Sequence, residues 1–250
     1  MRRIQSGRSP RSPFMYRDFK EAFTSLKSAL TQGSSYILLL GESGTGKTTL
    51  LRTLHAKLDR RRFHIIYLCH GQPSPSGLAR VLAEALHLPL RRTRAETSRL
   101  LVQTLRNLPT RLLFWIDESQ MIRDDTLHEL RLLSEADLEG PPLFSVLLSA
   151  LPCLKDRLLA PQLFPLWRRI TTRVSLTGLL REELRDYLSH SLSQEPVERF
   201  SDDALSIVFE QARGIPALTG TFAEYCLEAC PEGKITTDLV AEALDQLESA

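Results

Sequence analysis

The sequence LLLGESGTGKTTLLRTL, residues 38–54, joins an apolar run to a helix-like pattern through a loop rich in glycine. Residues 41–48 fit the pattern G-x-x-x-x-G-K-[ST], whose glycines allow successive backbone N–H groups to turn inwards around phosphate oxygens. The pattern has this meaning only between a strand and a helix, and the flanking residues indicate both. The stretch therefore predicts a phosphate-binding loop at the carboxyl end of a buried strand.

Each part of this loop has an expected role. Lys47 would reach the β- and γ-phosphates of ATP, and the Thr48 hydroxyl would be a ligand of Mg²⁺. A helix starting near Lys47 would add the positive end of its dipole. The alternative, a turn that binds no nucleotide, is disfavoured because motif and context both match. The predicted nucleotide contacts are Gly41, Glu42, Ser43, Gly44, Thr45, Gly46, Lys47, Thr48 and Thr49, together with Asp117.

An acidic pair follows a second apolar run, in RLLFWIDESQ at residues 111–120. Asp117 would hold Mg²⁺, partly through water, and Glu118 would act as general base for the attacking water. A bare Asp-Glu pair is common on solvated surfaces. At the end of a buried strand, however, two carboxylates cost free energy unless a cation or ligand uses them. The two motifs together predict ATP hydrolysis.

Short apolar runs without clean alternation indicate strands of a parallel sheet that is covered on both faces. Segments with helical periodicity separate them, which predicts an α/β fold with a doubly wound sheet of about five strands. We expect Asp124 or Asp125 to cap the helix after the third strand. The predicted strands are Tyr36–Leu40, Phe63–Leu68, Leu112–Ile116, Leu143–Leu148 and, more weakly, Arg173–Leu176.

Strand signals stop near residue 178, and four amphipathic helical segments follow. We therefore expect a flexible basic arm at residues 1–15, an α/β ATPase core at residues 16–178, and a small all-helical lid at residues 179–250. An arm that touches phosphates is the alternative to a merely flexible one, because its sequence MRRIQSGRSPRSPF is basic.

The composition of the chain limits the cellular compartments and the binding partners that we expect for it. A net charge of +2 gives no general attraction to polyanions, so any nucleic-acid surface must be a local patch. No apolar run reaches the roughly 18–20 residues of a membrane span, and the N-terminus lacks the apolar stretch of a secretory signal. The 4 cysteines form no disulfide or metal pattern. These features predict a cytoplasmic protein without a membrane partner.

The motifs together resemble those of AAA+ ATPases, in the group related to the secretion protein ExeA and the transposition regulators TniB, TnsC and MuB. The string WIDESQ, residues 115–120, is similar to IDEAQ in that group. The string LLSALPCLKDRLLAPQLFPLWRRITTRVSLTGL, residues 147–179, is similar to the fourth strand, the following turn and helix, and the fifth strand of these proteins. The resemblance implies a phosphate-loop ATPase core followed by a helical lid.

The same resemblance implies an arginine finger at Arg168 or Arg169, reaching the γ-phosphate in a neighbouring subunit. Arg169 is favoured because it directly precedes Ile170. The alternative is that both are ordinary surface charges. Such a finger would make hydrolysis depend on the assembly of a homo-oligomer.

Two departures from the family pattern predict slow turnover. The lid string G-x-P-R of the family, whose arginine senses the γ-phosphate, ends here in Ala217. The Gly-Gln-Pro pattern after the fourth strand is replaced by residues 150–152, Ala-Leu-Pro. Ser149 could replace the sensor of the attacking water, or it could be a simple hydrogen-bonding residue.

The partners follow from the transposition members of the group. The resemblance implies an ATP-dependent oligomer, a ring or helical filament, that binds duplex DNA and regulates a transposase or a related recombination protein. Arg91, Arg92 and Arg94 would contact phosphates without reading bases, although the same cluster could be a solubilising loop. The alternatives are an ExeA-like ATPase of a secretion or envelope complex and a slow nucleotide-dependent switch that binds another protein.

Overall fold

The computed structural model describes residues 12–68, 73–137, 140–192 and 197–248 of the 250-residue chain. Most of the expected N-terminal arm, residues 1–11, lies outside the described residues. The chain divides into two compact units. One is formed by Glu21–Thr177, and the other by the chain from Gly178 onward together with the described residues before Glu21.

The first unit contains a sheet of five parallel strands, in the spatial order β2-β3-β4-β1-β5. This confirms the doubly wound α/β fold. The strands are β1 (Tyr36–Gly41), β2 (Phe63–Leu68), β3 (Arg111–Ile116), β4 (Phe144–Ala150) and β5 (Ile170–Leu176).

Burial differs between the central strands and the edge strand β5. The central strands β1 and β4 are buried at every residue because helices cover both faces. In the edge strand β5, only the first and last residues are buried, and the five residues between them are exposed or half-exposed. Its signal was therefore weak, and the predicted strand missed its first three residues, from Ile170.

The helices of the first unit flank the sheet, and those of the second follow it in sequence. They are α1 (Arg17–Gln32), α2 (Lys47–Lys57), α3 (Pro75–Ala85), α4 (Arg94–Arg106), α5 (Asp124–Ser134), α6 (Cys153–Leu159), α7 (Phe164–Trp167), α8 (Leu184–Leu192), α9 (Asp202–Ala212), α10 (Pro216–Ala229) and α11 (Thr237–Glu248). The predicted cap of α5 is wrong. Arg123 is the N-cap, without a side-chain bond, and Asp124 and Asp125 lie in the first turn, where carboxylates favour the helix dipole.

Each unit has its own apolar core. In the first, side chains such as Leu38, Phe114 and Leu148 pack one face of the sheet against α3, α5 and α6. In the second, buried side chains of α8–α11, including Leu188 and Leu205, form a separate cluster. Within the described ranges, no helix combines the length and apolar character that a membrane crossing requires.

Candidate nucleotide-binding site

The glycine-rich loop connects Gly41, the last residue of β1, to Lys47, the first residue of α2. Gly44 and Gly46 have φ values of 83° and 96°, which side-chain-bearing residues rarely adopt. A Cβ at Gly41 would lie 2.6 Å from the Thr45 hydroxyl and 3.0 Å from the nearest carbonyl of β5. The loop therefore requires glycine at these places, and its backbone curves tightly at the carboxyl end of the sheet.

Lys47 lies inside this curve rather than on the surface. It is only 6% exposed, and its ammonium donates to the carbonyl oxygens of Gly41 at 2.8 Å and Glu42 at 3.0 Å. Burial lowers the pKa of Lys47, while the nearby carboxylates of Glu118, Asp117 and Glu42 act in the opposite direction. The protein thus holds a cation among the loop carbonyls, where a phosphate group would compensate its lost hydration.

The remaining predicted contacts occupy the rim of the loop and the start of the helix. Glu42, Ser43 and Gly44 are exposed, Thr45 is buried with its hydroxyl 2.8 Å from the Glu42 carbonyl, and Thr49 is exposed in the first turn of α2.

Asp117 is the centre of the polar network next to the loop. Its carboxylate accepts hydrogen bonds from Ser149 at 2.7 Å, Tyr67 at 2.9 Å, Thr48 at 2.9 Å and the Glu118 amide at 3.1 Å. Burial raises the pKa of this carboxyl, but the four donors lower it more, so its pKa lies below the ordinary value. The network holds an oriented carboxylate at the end of β3.

The pair formed by Thr48 and Asp117 fits a magnesium site. Mg²⁺ prefers hard oxygen ligands and keeps several of its waters, so one hydroxyl and one carboxylate suit it. The structure brings these two predicted ligands within 2.9 Å of each other although they are 69 residues apart in sequence. Tyr67, by contrast, was missed as a contact, because its approach to Asp117 depends on the pairing of β2 with β3.

Glu118 leaves the strand in a left-handed conformation, with φ 52° and ψ 38°. Its side chain is half-buried, and one carboxylate oxygen accepts a hydrogen bond of 2.6 Å from Gln120. Such backbone conformations are uncommon for non-glycine residues and concentrate at functional sites. The predicted general base thus lies beside the predicted magnesium ligands.

A cavity of about 460 Å³ opens against these residues. The indole N–H of Trp115 is buried in its wall and finds no acceptor among the described residues, and His55 meets the same ring edge-on. The volume is within the range of ligand pockets, about 300–1,000 Å³. Its lining consists of Thr48, Leu51, Arg52, His55, Tyr67, Trp115, Asp117 and Glu118.

The two candidate finger residues follow α7 and differ in their contacts. Arg169 forms an ion pair with Glu135 and donates to the Pro165 carbonyl at 3.0 Å. Arg168 is exposed, and its side chain makes no hydrogen bond or ion pair within the part of the chain that the structure describes; its backbone N–H donates to the Phe164 carbonyl at 3.0 Å. Within one copy, neither arginine is hydrogen-bonded to Asp117 or Glu118.

The predicted DNA contacts lie at the connection between α3 and α4. Arg91 and Arg92 are exposed and line two clefts of about 310 and 500 Å³, which Arg80 and Arg99 border. Arg94 is the first residue of α4, and its side chain lies outside the described part of the structure. The cluster is a local basic surface on a chain of small net charge.

Comparisons with known proteins agree with this fold. The family described as AAA domain matches residues 30–158, which include the loop, β3 and the acidic pair. General secretion pathway protein A of Aeromonas hydrophila is 29% identical over 234 residues, an alignment that covers 88% of this chain and 42% of that protein. The chain thus spans about two fifths of the length of this curated relative.

Solved structures with a similar fold have lower identity. The ORC2 protein of Aeropyrum pernix, in ADPNP-ADP complexes, gives a TM-score of 0.65 at 17% identity, covering 97% of this chain and 71% of that one. The ORC1 protein of the same organism, in complex with DNA, gives a TM-score of 0.62 at 20% identity, covering 94% and 66%. These two likenesses show the fold of the chain.

Proposed function

We propose that this chain, which belongs to the AAA domain family, binds Mg²⁺·ATP at residues 41–48 and hydrolyses it slowly. The observation that carries the proposal is the hydrogen bond of 2.9 Å between Thr48 and Asp117. This bond joins the phosphate loop to the acidic pair at the carboxyl ends of the strands, where ligands bind in folds of this kind.

Each residue has a chemical task in this scheme. The loop amides and Lys47 bind the phosphates, and Thr48 and Asp117 would hold the metal ion. Bound Mg²⁺ would neutralise part of the charge on the phosphate oxygens. Glu118 takes a proton from the attacking water, and Ser149 orients Asp117 through its bond of 2.7 Å.

We further propose that a second copy of the chain completes the site. Arg168 is exposed and has no partner of its own among the described residues, so it is free to meet a γ-phosphate bound by a neighbour. Arg169, the residue that the sequence favoured, is held by Glu135 within its own chain. An ATP-dependent homo-oligomer, a ring or a helical filament, follows from an active site divided in this way.

The proposed partner is duplex DNA, bound through the basic clefts at Arg91 and Arg92. Their neighbours Arg80 and Arg99 give this surface four exposed arginines, and phosphate contacts of this kind are independent of sequence. The fold shared with ORC1 in complex with DNA supports this assignment. In this proposal the chain is a cytoplasmic regulator that recruits a transposase or a related recombination protein.

A second candidate function is supported by the likeness to general secretion pathway protein A. In that case the ATPase serves a secretion or envelope complex and has no affinity for DNA. The third candidate is a slow nucleotide-dependent switch that binds another protein. Ala217 supports it, since the family pattern has an arginine at that position.

The test is phosphate release by the purified chain with Mg²⁺·ATP, in the presence and absence of duplex DNA. We expect slow release that DNA accelerates, and its loss by about 100-fold or more in Glu118→Gln, which still binds ATP. The control Glu228→Gln makes the same change at an exposed position of α10. Wild-type turnover in Glu118→Gln would contradict the general base.

Electron microscopy of the same samples tests the assembly. We expect filaments or rings on DNA with ATP or with a slowly hydrolysed analogue, and none with ADP. The Glu118→Gln variant should still form these assemblies with ATP. Release that DNA does not change, together with no assembly on DNA in any nucleotide state, would favour the secretion-type function.

A further inference from the structure

Gln120 lies two residues beyond the proposed general base and is hydrogen-bonded to it. Its Nε2 donates to Glu118 Oε2 at 2.6 Å, and its Oε1 accepts from the backbone N–H of Leu151 at 3.1 Å. A backbone N–H can only donate and an ionised carboxylate can only accept, so the two partners fix the orientation of the amide. Gln120 therefore joins the base to the first residue after β4.

The short turn that carries Gln120 is anchored to the same part of the chain. Arg157 of α6 donates to the backbone carbonyls of Gln120 and of Ile122, the latter at 2.7 Å. The fully buried hydroxyl of Ser119 donates to the carbonyl of Ser149, at the end of β4, at 2.9 Å. Residues 119–122 are thus tied to the end of β4 and to α6.

Glu118 needs such a partner to have one orientation. Its side chain has several rotatable bonds and is only half-buried, so packing alone does not select a single rotamer. Its backbone is already in the left-handed region, with φ 52°. The hydrogen bond from Gln120 reaches one of the two carboxylate oxygens of Glu118, the atoms that would accept the proton of water.

We propose that Gln120 is a positioning residue of the ATPase: it directs the carboxylate of Glu118 and makes that direction depend on the connection from β4 to α6. The assignment rests on the proposed function, since it takes Glu118 as the general base. When Leu151 or α6 is displaced, the side chain of Gln120 moves with it and changes the orientation of the Glu118 carboxylate. The same connection leads on to α7 and Arg168, so a neighbouring copy that docks there reaches the base by this route.

The two side-chain hydrogen bonds of Gln120, one to Glu118 and one to Leu151, determine which substitutions are informative. Gln120→Met keeps the length of the side chain and removes both bonds. Gln120→Glu keeps an acceptor for the Leu151 N–H but loses the donor, and it places a second negative charge against Glu118. The charged groups nearby, Lys47 and Arg157, are the same in both variants.

The experiment measures kcat and KM for ATP hydrolysis, together with ATP affinity by calorimetry. We expect kcat to fall by about 10- to 100-fold in Gln120→Met, because a misplaced base loses its near-attack geometry. Gln120→Glu should lose at least as much. KM and ATP affinity should change by no more than about twofold, since uniform binding of ATP is untouched. The control Gln211→Glu makes the same change on an exposed face of α9.

A second arm repeats Gln120→Met in the Glu118→Gln background, with single-turnover rates. Gln120 acts through Glu118, so its removal should add no further loss once the carboxylate is gone. If Gln120 merely stabilised the fold, Gln120→Met would lower the single-turnover rate by the same factor in the wild-type and in the Glu118→Gln background. That result, or a wild-type kcat in Gln120→Met, would overturn the positioning role while leaving the proposed ATPase intact. No phosphate release from the unmodified chain would overturn the ATPase and the positioning role together.

Discussion

Among single residues, Arg168 and Arg169, which follow α7, show that side-chain contacts can distinguish two neighbours that the sequence alone does not. Arg168 and Arg169 have the same charge and the same reach. Among the residues that the structure describes, only Arg169 of the two has an acidic partner, Glu135, which also accepts from Arg131 at 3.1 Å. An arginine that must leave its chain to reach a neighbouring phosphate is hindered by such a pair. The structure therefore favours Arg168 as the proposed finger.

We predict different losses for the two alanine variants. Arg168→Ala should bind ATP normally and lose the part of hydrolysis that appears only on assembly, by about tenfold or more. Arg169→Ala should keep most of this stimulated rate and lose up to about 1 kcal/mol of stability, the usual value of a partly exposed ion pair. Phosphate release as a function of protein concentration, with thermal unfolding, separates them. The reverse pattern would assign the finger to Arg169.

At the scale of the structural elements, the phosphate loop depends on a close approach between β1, its own turn and β5. The position of Gly41 is the narrowest point, with the buried Thr45 hydroxyl and a β5 carbonyl in the way of any side chain.

Gly41→Ala should therefore distort the loop, weakening ATP binding by about tenfold or more and lowering the free energy of unfolding by about 1–3 kcal/mol. Removing the obstructing hydroxyl in Gly41→Ala/Thr45→Ala should restore part of the affinity. Calorimetry and chemical unfolding of both variants, with Thr45→Ala alone as the control, check this. Normal ATP affinity in Gly41→Ala would show that the loop tolerates a wider curve.

The elements also show what the sequence could predict. The loop at residues 41–48 and the strand before Asp117 were predictable because each is encoded by local residues. The contacts of Tyr67 and Gln120 were not. Tyr67 reaches Asp117 through strand pairing, and Gln120 meets Leu151, which is 31 residues away in the chain. The cap of α5 was misjudged because carboxylates favour both the cap and the first turn.

At the scale of the whole molecule, the location of positive charge distinguishes a DNA-binding ATPase from one that serves another partner. Beyond the basic N-terminal arm, the chain has two dense basic clusters, residues 57–62 and residues 90–94, although its total net charge is only +2. The first includes the end of α2, where cations are expected to complement the dipole, and the second lines the clefts between α3 and α4.

We predict that Arg91→Ala/Arg92→Ala weakens binding to duplex DNA with ATP and reduces the slope of log affinity against log salt by about two. The control pair Arg60→Ala/Arg61→Ala removes equal charge from the other cluster and should leave the slope nearly unchanged. Fluorescence anisotropy over a salt series measures both. Equal losses for the two pairs, or binding that is the same with ATP and ADP, would contradict the proposed DNA surface.

The most direct test is a calorimetric titration of the chain with Mg²⁺·ATP. Lys47, buried among the loop carbonyls, has its counterpart in Lys57, an exposed lysine at the other end of the same helix. We predict saturable heat for the wild type and for Lys57→Ala, and none for Lys47→Ala. No heat from the wild type, or an unchanged titration of Lys47→Ala, would contradict nucleotide binding at residues 41–48.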